Sequence, residues 1–577
     1  MRFAHFADSG ISEKEIMSTE TKICKKCSRE FTIETEDSAY YEHIQVPPPS
    51  MCPDCRAQRR MVWWNEHNLY RKKVASPSTS SGSASGEVFS TYPEHSPIKI
   101  YEHGYWWSDA WDPMQFGRDY DPKRSFFDQM KELMHVMPRS SREIKSLTNS
   151  DYSDNSNNVK NGYLCFDASN CDDIMYCIAL NHCKNSLDVY QANGLELSYE
   201  ILQCGHMYQS FFCHDSGNCR NVWLSRDCID CEDCFGCANL RHKKYYIFNE
   251  PYTKGEYEKK IKEFNLGSYA SLSKLKEQAR KVWVEQPYKF MHGMQNENVT
   301  GDYIEHCKNV HRGFQIDDSS DVRYSQRIVN DSKFIVDVTN WGDNSEYVYE
   351  GVVCGENNRN IKFCAYCWPA NTDIEYCMSC HSSSNLFGCI GMRKKEYCIL
   401  NKQYTREEYF AKIQSIKIQM TKDGEYGEFF PASMSPLAYN ETVALDYFQR
   451  TKEQALAEGF AWRDPEKREH KITMEAIDIP DHIWDVSLDI TKAIIGCSTC
   501  KRAYRILDRE FEFYQRFGLP IPRECHNCRH TERLKLRTPL QSWKRNCAKC
   551  GVAVESNFAP DRPEIVYCES CYNDEIV

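Results

Sequence analysis

NVKNGYLCFDASNCDDIMYCIALNHC, residues 158–183, carries one two-residue mark at a fixed step: Asn158-Val159, Asn170-Cys171 and His182-Cys183 lie 12 residues apart. The mark returns at Asn218-Cys219 and Asp230-Cys231, each followed by a polar residue or two and a short apolar or aromatic run such as Val222-Trp223-Leu224. Short strands between Asn/Asp turns at constant period describe stacked coils, a β-solenoid-like array in which each coil buries its inward side chains against the next. A period of 12 fits one narrow coil or half of a coil of about 24 residues, and both stay open.

A second array spans 301–401, where Asn360-Ile361, Asp373-Ile374 and Asn385-Leu386 keep steps of 13 and 12. The arrays end alike, with FGCANLRHKKYYIFN at 235–249 and FGCIGMRKKEYCILN at 387–401. Each end runs into a helix start with Thr253 or Thr405 as N-cap and Glu256 or Glu408 three residues on, the pattern of a capping box.

Six C-x2-C pairs lie outside the arrays. Cys24/Cys27 and Cys52/Cys55 form one set, Cys497/Cys500 and Cys525/Cys528 a second, and Cys547/Cys550 and Cys568/Cys571 a third. Two thiolates two residues apart can offer both sulfurs to one metal, so two pairs complete a tetrahedral shell, and three structural zinc ions are expected. The first two sets are copies. Adding 473 to each number from Cys24 to Lys73 superposes the cysteines without a gap, and also Arg29/Arg502, Tyr41/Tyr514, Pro47/Pro520, Arg56/Arg529 and Arg60/Arg533.

The run CKKCSREFTI with the later Tyr-Tyr, Pro-Pro-Pro and CPDCR at 24–56 resembles a small bacterial treble-clef or zinc-ribbon domain. That resemblance implies a knuckle and hairpin at the first pair and a helix opening at the second, where Pro53 suits a first helical turn. The chain as a whole resembles uncharacterised bacterial multi-zinc-ribbon proteins, some labelled as CoA-transferases of the CaiB/BaiF type. That label is the source of a transferase alternative.

The fold class expected is mainly β, with two β-solenoid-like arrays flanked by small α+β zinc modules. The boundaries are a disordered N-terminus (1–20), zinc module 1 (21–75), a flexible Ser/Gly insertion (76–90), an aromatic linker and capping helix (91–148), array 1 (149–250), a helical connector (251–300), array 2 (301–401), a second connector (402–490), zinc module 2 (491–546) and a ribbon (547–577). In the linker, Ser125 is expected to cap a helix whose apolar stripe from Phe126 to Met137 closes the first array. The aromatic run at 101–111, with five acids in its neighbourhood, reads as buried anchoring onto an array end rather than a stacking platform for bases.

The array cysteines have two readings. The string Cys228, Cys231, Cys234, Cys237, and Cys364/Cys367 with Cys377/Cys380, could hold further metal, but a narrow coil also favours cysteine as a small apolar filler. Residues three apart on a strand point to opposite faces, which argues against convergence.

With 577 residues the chain can bury several cores, and the formal charge is −11. Charge is divided: residues 496–550 hold 13 Lys/Arg against 5 Asp/Glu, and residues 151–250 hold 7 against 14. Arg56, Arg60, Arg529, Arg533, Lys535, Arg537, Lys544 and Arg545 are therefore candidates for binding nucleic acid or a ribonucleoprotein, with a solvated or locally paired face as the alternative. No nucleophile elbow, P-loop, HExxH or dinucleotide fingerprint is present, so no catalytic residue is assigned. Lacking a long apolar run or a signal-like N-terminus, the chain is expected in the cytoplasm with no membrane partner. The reading is a zinc-binding scaffold that binds nucleic acid through its ends. The alternatives are an enzyme with a site on an array face or at the 101–137 junction, and a scaffold that docks protein alone.

Overall fold

Every third residue of the first array has left-handed backbone. Asn158, Asn161, Leu164, Asp167, Asn170, Asp173 and Tyr176 all have φ between 50° and 58° in the computed structural model, which describes residues 19–75, 86–366, 368–464 and 470–577. Each such residue turns the chain, and the residue after it points inward. Cys165, Ala168, Cys171, Ile174 and Cys177 follow one another this way, none more than 3% exposed. Parallel pairing then joins residues 12 apart, as in Phe166 to Ile178, Ile174 to Ser186 and Leu187 to Tyr199. Paired residues lie 12 apart, not 24.

This geometry explains the two-residue mark. Asn and Asp tolerate the left-handed region better than other non-glycine residues, and their amides also bond along the stack: Asn149 donates to Asn161 at 2.8 Å, Asn158 to Asn170 at 2.9 Å and Asn221 to Asp233 at 2.6 Å. Inside, small polar side chains accept a backbone N–H from the next rung. Ser186 Oγ accepts from Ser198, Ser210 Oγ from Val222, Cys171 Sγ from Cys183 and Cys219 Sγ from Cys231, at 3.2–3.4 Å. The second array repeats the design, pairing Lys308 with Ser320 and Phe314 with Gln326 at steps of 12, lengthening to 13 at Ser320 to Lys333, Asn340 to Val353 and Arg359 to Thr372, and returning to 12 from Thr372 to Ser384 onward.

The three-residue unit corrects the strand argument about the cysteine string. Cys228, Cys231, Cys234 and Cys237 all point inward, one per unit, and line successive sides of the coil. Among the described residues no three array cysteines bring their sulfurs within 4.8 Å of one another. Cys367 lies outside the described residues.

Both expected capping boxes are formed. Thr253 caps Lys254–Glu263 and Thr405 caps Arg406–Lys422, each through a reciprocal bond with the glutamate three residues on. The linker helix Phe126–Val136, capped by Ser125, closes the second array rather than the first: Phe126 sits 5.3 Å from both Tyr376 and Phe387. The first array is already closed by its own connector, with Phe248 and Phe264 against Phe235. The matching places in the second array hold the smaller Leu400 and Ile416, which leaves room for Phe126. The aromatic run is anchored as expected, with Trp106 buried and Trp107 against His381 of the second array.

Two segment boundaries move. Glu20 already belongs to the hairpin strand Glu20–Ile23, and Glu87–Ser90 pairs antiparallel with Tyr70–Lys73, so part of the predicted insertion is a strand. The remainder of the N-terminal and insertion segments, 1–18 and 76–85, lies outside the described residues.

Candidate metal centres

Each zinc set is assembled from a hairpin turn and a helix start. In the first module Cys24 donates its N–H to Arg29 O at 2.9 Å, Ser28 at φ 58° closes the knuckle, and Cys52 precedes the helix Pro53–Met61. The second module reproduces this with Cys497, Arg502, Lys501 at φ 61°, and Cys525 before His526–Leu534. In both copies the N–H of the helix-start cysteine reaches the first sulfur, Cys52 to Cys24 and Cys525 to Cys497, at 3.3 Å. The ribbon sets Cys547 and Cys550 in the hairpin Trp543–Asn546 and Ala553–Ser556, with Cys568 before Glu569–Ile576.

All four sulfurs of each set lie within 4.8 Å of one another. Tetrahedral zinc with Zn–S bonds of about 2.3 Å separates its sulfurs by about 3.8 Å. Cys27 to Cys52 and Cys497 to Cys528 measure 3.8 Å, and Cys500 to Cys525 and Cys550 to Cys568 measure 3.7 Å. The fit is consistent with three structural zinc ions in closed four-sulfur sites. Arg29 and Arg502 donate to Cys27 and Cys500 at 3.4 Å, orienting the outer sulfurs from behind.

Acidity does not divide the two groups of cysteines: Cys525 of the second module is raised to about 11, first by burial, and array Cys171 is lowered by its hydrogen bond with Cys183. Burial pushes the Cys213 and Cys354 thiols up to about 12 and Cys307 up to about 11. In the modules Cys52 falls to about 5, first through the hydrogen bond from Cys55. Cys500 and Cys547 fall to about 6, where burial is outweighed by Arg502 at the first and by the N–H groups of Cys550 and Cys568 at the second.

The predicted nucleic-acid arginines turn inward. Arg56 Nε meets Asp337 Oδ2 at 2.8 Å and Arg60 NH1 meets Asp337 Oδ1 at 3.0 Å. In the second module Arg529 Nε meets Asp188 Oδ2 at 2.9 Å and Arg533 NH2 meets Asp188 Oδ1 at 3.0 Å. Arg56 and Arg60 are 1% exposed, Arg529 and Arg533 5%, and both aspartates 0%. The surroundings repeat too. Arg56 lies over Tyr324, whose OH donates to Asp37, and Arg529 lies over Tyr176, whose OH donates to Glu510, the residue 473 places after Asp37. The docking is crossed, module 1 on array 2 and module 2 on array 1. These four arginines therefore do not present their charge to a phosphate chain.

The other candidates divide. Arg537 bonds Tyr190 OH at 2.9 Å and covers the Tyr447 ring, and Arg545 bonds the carbonyls of Ala559 and Glu564. Lys535 is exposed and paired with Glu532, and Lys544 is exposed. Asp188 and Asp337, the acceptors of the clamp, were not singled out from sequence. For Asp188 the signal was the acidic excess at 151–250 facing the basic excess at 496–550.

One cleft is lined by Trp64, Arg142, Glu143, Asp154, Tyr366 and Trp368 among others. Burial pushes Glu143 up to about 8 and Asp154 to about 6. No family model, curated protein or solved structure matches the chain. Among the described residues, no helix is long and apolar enough to cross a membrane.

Proposed function

We propose that the protein is a zinc-clamped scaffold. Its two treble-clef modules fasten a pair of β-solenoids to each other, and the outer solenoid faces and the terminal ribbon serve as docking surfaces for protein partners in the cytoplasm. The observation that carries this reading is the crossed burial of Arg56 and Arg60 on Asp337 and of Arg529 and Arg533 on Asp188. The arginines of the two module helices are used inside the chain, where each aspartate takes charge-assisted bonds from two guanidiniums. Array-to-array contacts support the same role, with Arg327 bonded to Tyr190 and Tyr303 to Asp215 across the pair.

Nucleic-acid binding is the second reading, kept by Lys535 and Lys544 beside the ribbon. The test is binding of the full-length, zinc-loaded chain to unrelated RNA and DNA at about 50 mM salt, where phosphate contacts are strongest. The scaffold reading expects no salt-steep binding. Affinity that falls steeply with salt and is lost in the double variant Lys535→Glu, Lys544→Glu would establish the second reading instead. The transferase alternative retains only the cleft at Glu143 and Asp154, with no sequence motif behind it.

A further inference from the structure

Three metal-ligating side chains from three separate segments meet outside every cysteine set. His67 follows the helix of the first module, His530 lies on His526–Leu534 of the second, and Asp446 lies on the short helix Ala444–Tyr447. His67 Nε2 stands 2.5 Å from Asp446 Oδ2, and one ligand atom of each residue lies within 4.8 Å of the others. His530 faces His67 with ring centroids 5.1 Å apart. Its Nε2 is shielded from solvent and has no hydrogen-bond partner.

An ion pair between His67 and Asp446 accounts for two of these groups and leaves the third unexplained. The contact of His530 with Tyr190, at 5.4 Å between centroids, explains why a flat ring packs there, but not why a polar nitrogen is enclosed beside an imidazole and a carboxylate. An enclosed imidazole nitrogen without a partner is costly, and a bound cation would remove that cost. The segment that supplies Asp446 is also held in place, since Arg537 donates to Asp446 O at 2.8 Å and Val443 N–H to Trp64 O at 2.9 Å.

We propose that His67, Asp446 and His530 bind one divalent first-row transition-metal ion, a fourth metal centre that ties the two modules together through the connector. Two imidazoles and a carboxylate form a harder donor set than four thiolates and suit zinc, cobalt, nickel or iron(II). Three protein ligands also leave a coordination position open, unlike the closed cysteine sites. Bonds of about 2.0–2.2 Å to the metal would spread His67 and Asp446 to about 3.3 Å, a movement of under about 1 Å.

The test is metal stoichiometry on the full-length chain, saturated with Zn2+ and desalted. Four ions per chain are expected, falling to three in His530→Gln and in Asp446→Asn while the cysteine sites stay filled. Three ions in the native chain, or four retained in both folded variants, would overturn the proposal. Cobalt titration of the native protein gives a readout that needs no variant. Three equivalents should bring intense thiolate-to-cobalt charge transfer, and the fourth should add ligand-field absorption without it. A fourth equivalent that adds charge transfer, or no fourth equivalent, defeats the assignment.

Discussion

Cysteine plays two parts in this chain, and the difference is written in what each sulfur touches. In the arrays it is a rung-filling residue that accepts an N–H from the next rung and donates to the carbonyl two residues back, as Cys204 does with Ser216 N–H and Leu202 O, both at 3.3 Å. Serine performs the same service at Ser186, Ser198 and Ser210. Cys204→Ser should therefore cost less than Cys204→Val, although valine is the more apolar residue, because valine leaves the Ser216 N–H buried without an acceptor, a loss of about 1–3 kcal/mol. Denaturation midpoints of the two variants measure the order, and a more stable valine variant would contradict this role. The module cysteines were legible from spacing alone, since C-x2-C is local. The filler role was legible only as composition, because the three-residue unit behind it depends on left-handed backbone at residues such as Tyr176 and Leu224, whose types do not advertise it.

Among the elements, those joined by local chemistry were readable and those joined across the chain were not. The capping boxes at Thr253 and Thr405 and the Ser125 helix follow from residues three apart, whereas the array that each helix or module covers is decided by partners hundreds of residues away. The His67, Asp446 and His530 group was invisible for the same reason. One joint between the arrays is predicted to be pH-sensitive. His292 lies 2.9 Å from Asp302 and 3.5 Å from Asp215 of the other array, and although burial alone would lower its pKa, the two carboxylates raise it from 6.5 to about 9. A raised pKa contributes stability that is fully present below about 6.5 and is lost as pH rises through about 9. Hydrogen exchange at residues 214–217 and 292–304, corrected for intrinsic rates, should show opening above pH 9 in the native chain. In His292→Gln that pH step should vanish, and an unchanged step would remove His292 from the joint.

At the scale of the molecule, each four-cysteine module packs against the strand region that its twin adjoins in sequence. Charge made the docking possible to anticipate, with 13 Lys/Arg against 5 Asp/Glu at 496–550 facing 7 against 14 at 151–250, but attraction to a nucleic acid and attraction to the chain itself leave the same mark in composition. Only the placement of Asp188 and Asp337 under the guanidiniums separates them. The clamp depends on metal, since a small zinc module takes much of its folding free energy from the ion, and withdrawing Arg56 and Arg60 would leave Asp337 buried and unpaired at a cost of about 3–5 kcal/mol. The most direct test is hydrogen exchange by mass spectrometry on Cys52→Ser, which dismantles only the first zinc site. Crossed docking predicts lost protection around Asp337 and Tyr349 in the second array, with the neighbourhood of Asp188 and Tyr199 in the first array unchanged. Loss confined to residues 20–73, or spreading into the first array instead, would contradict it.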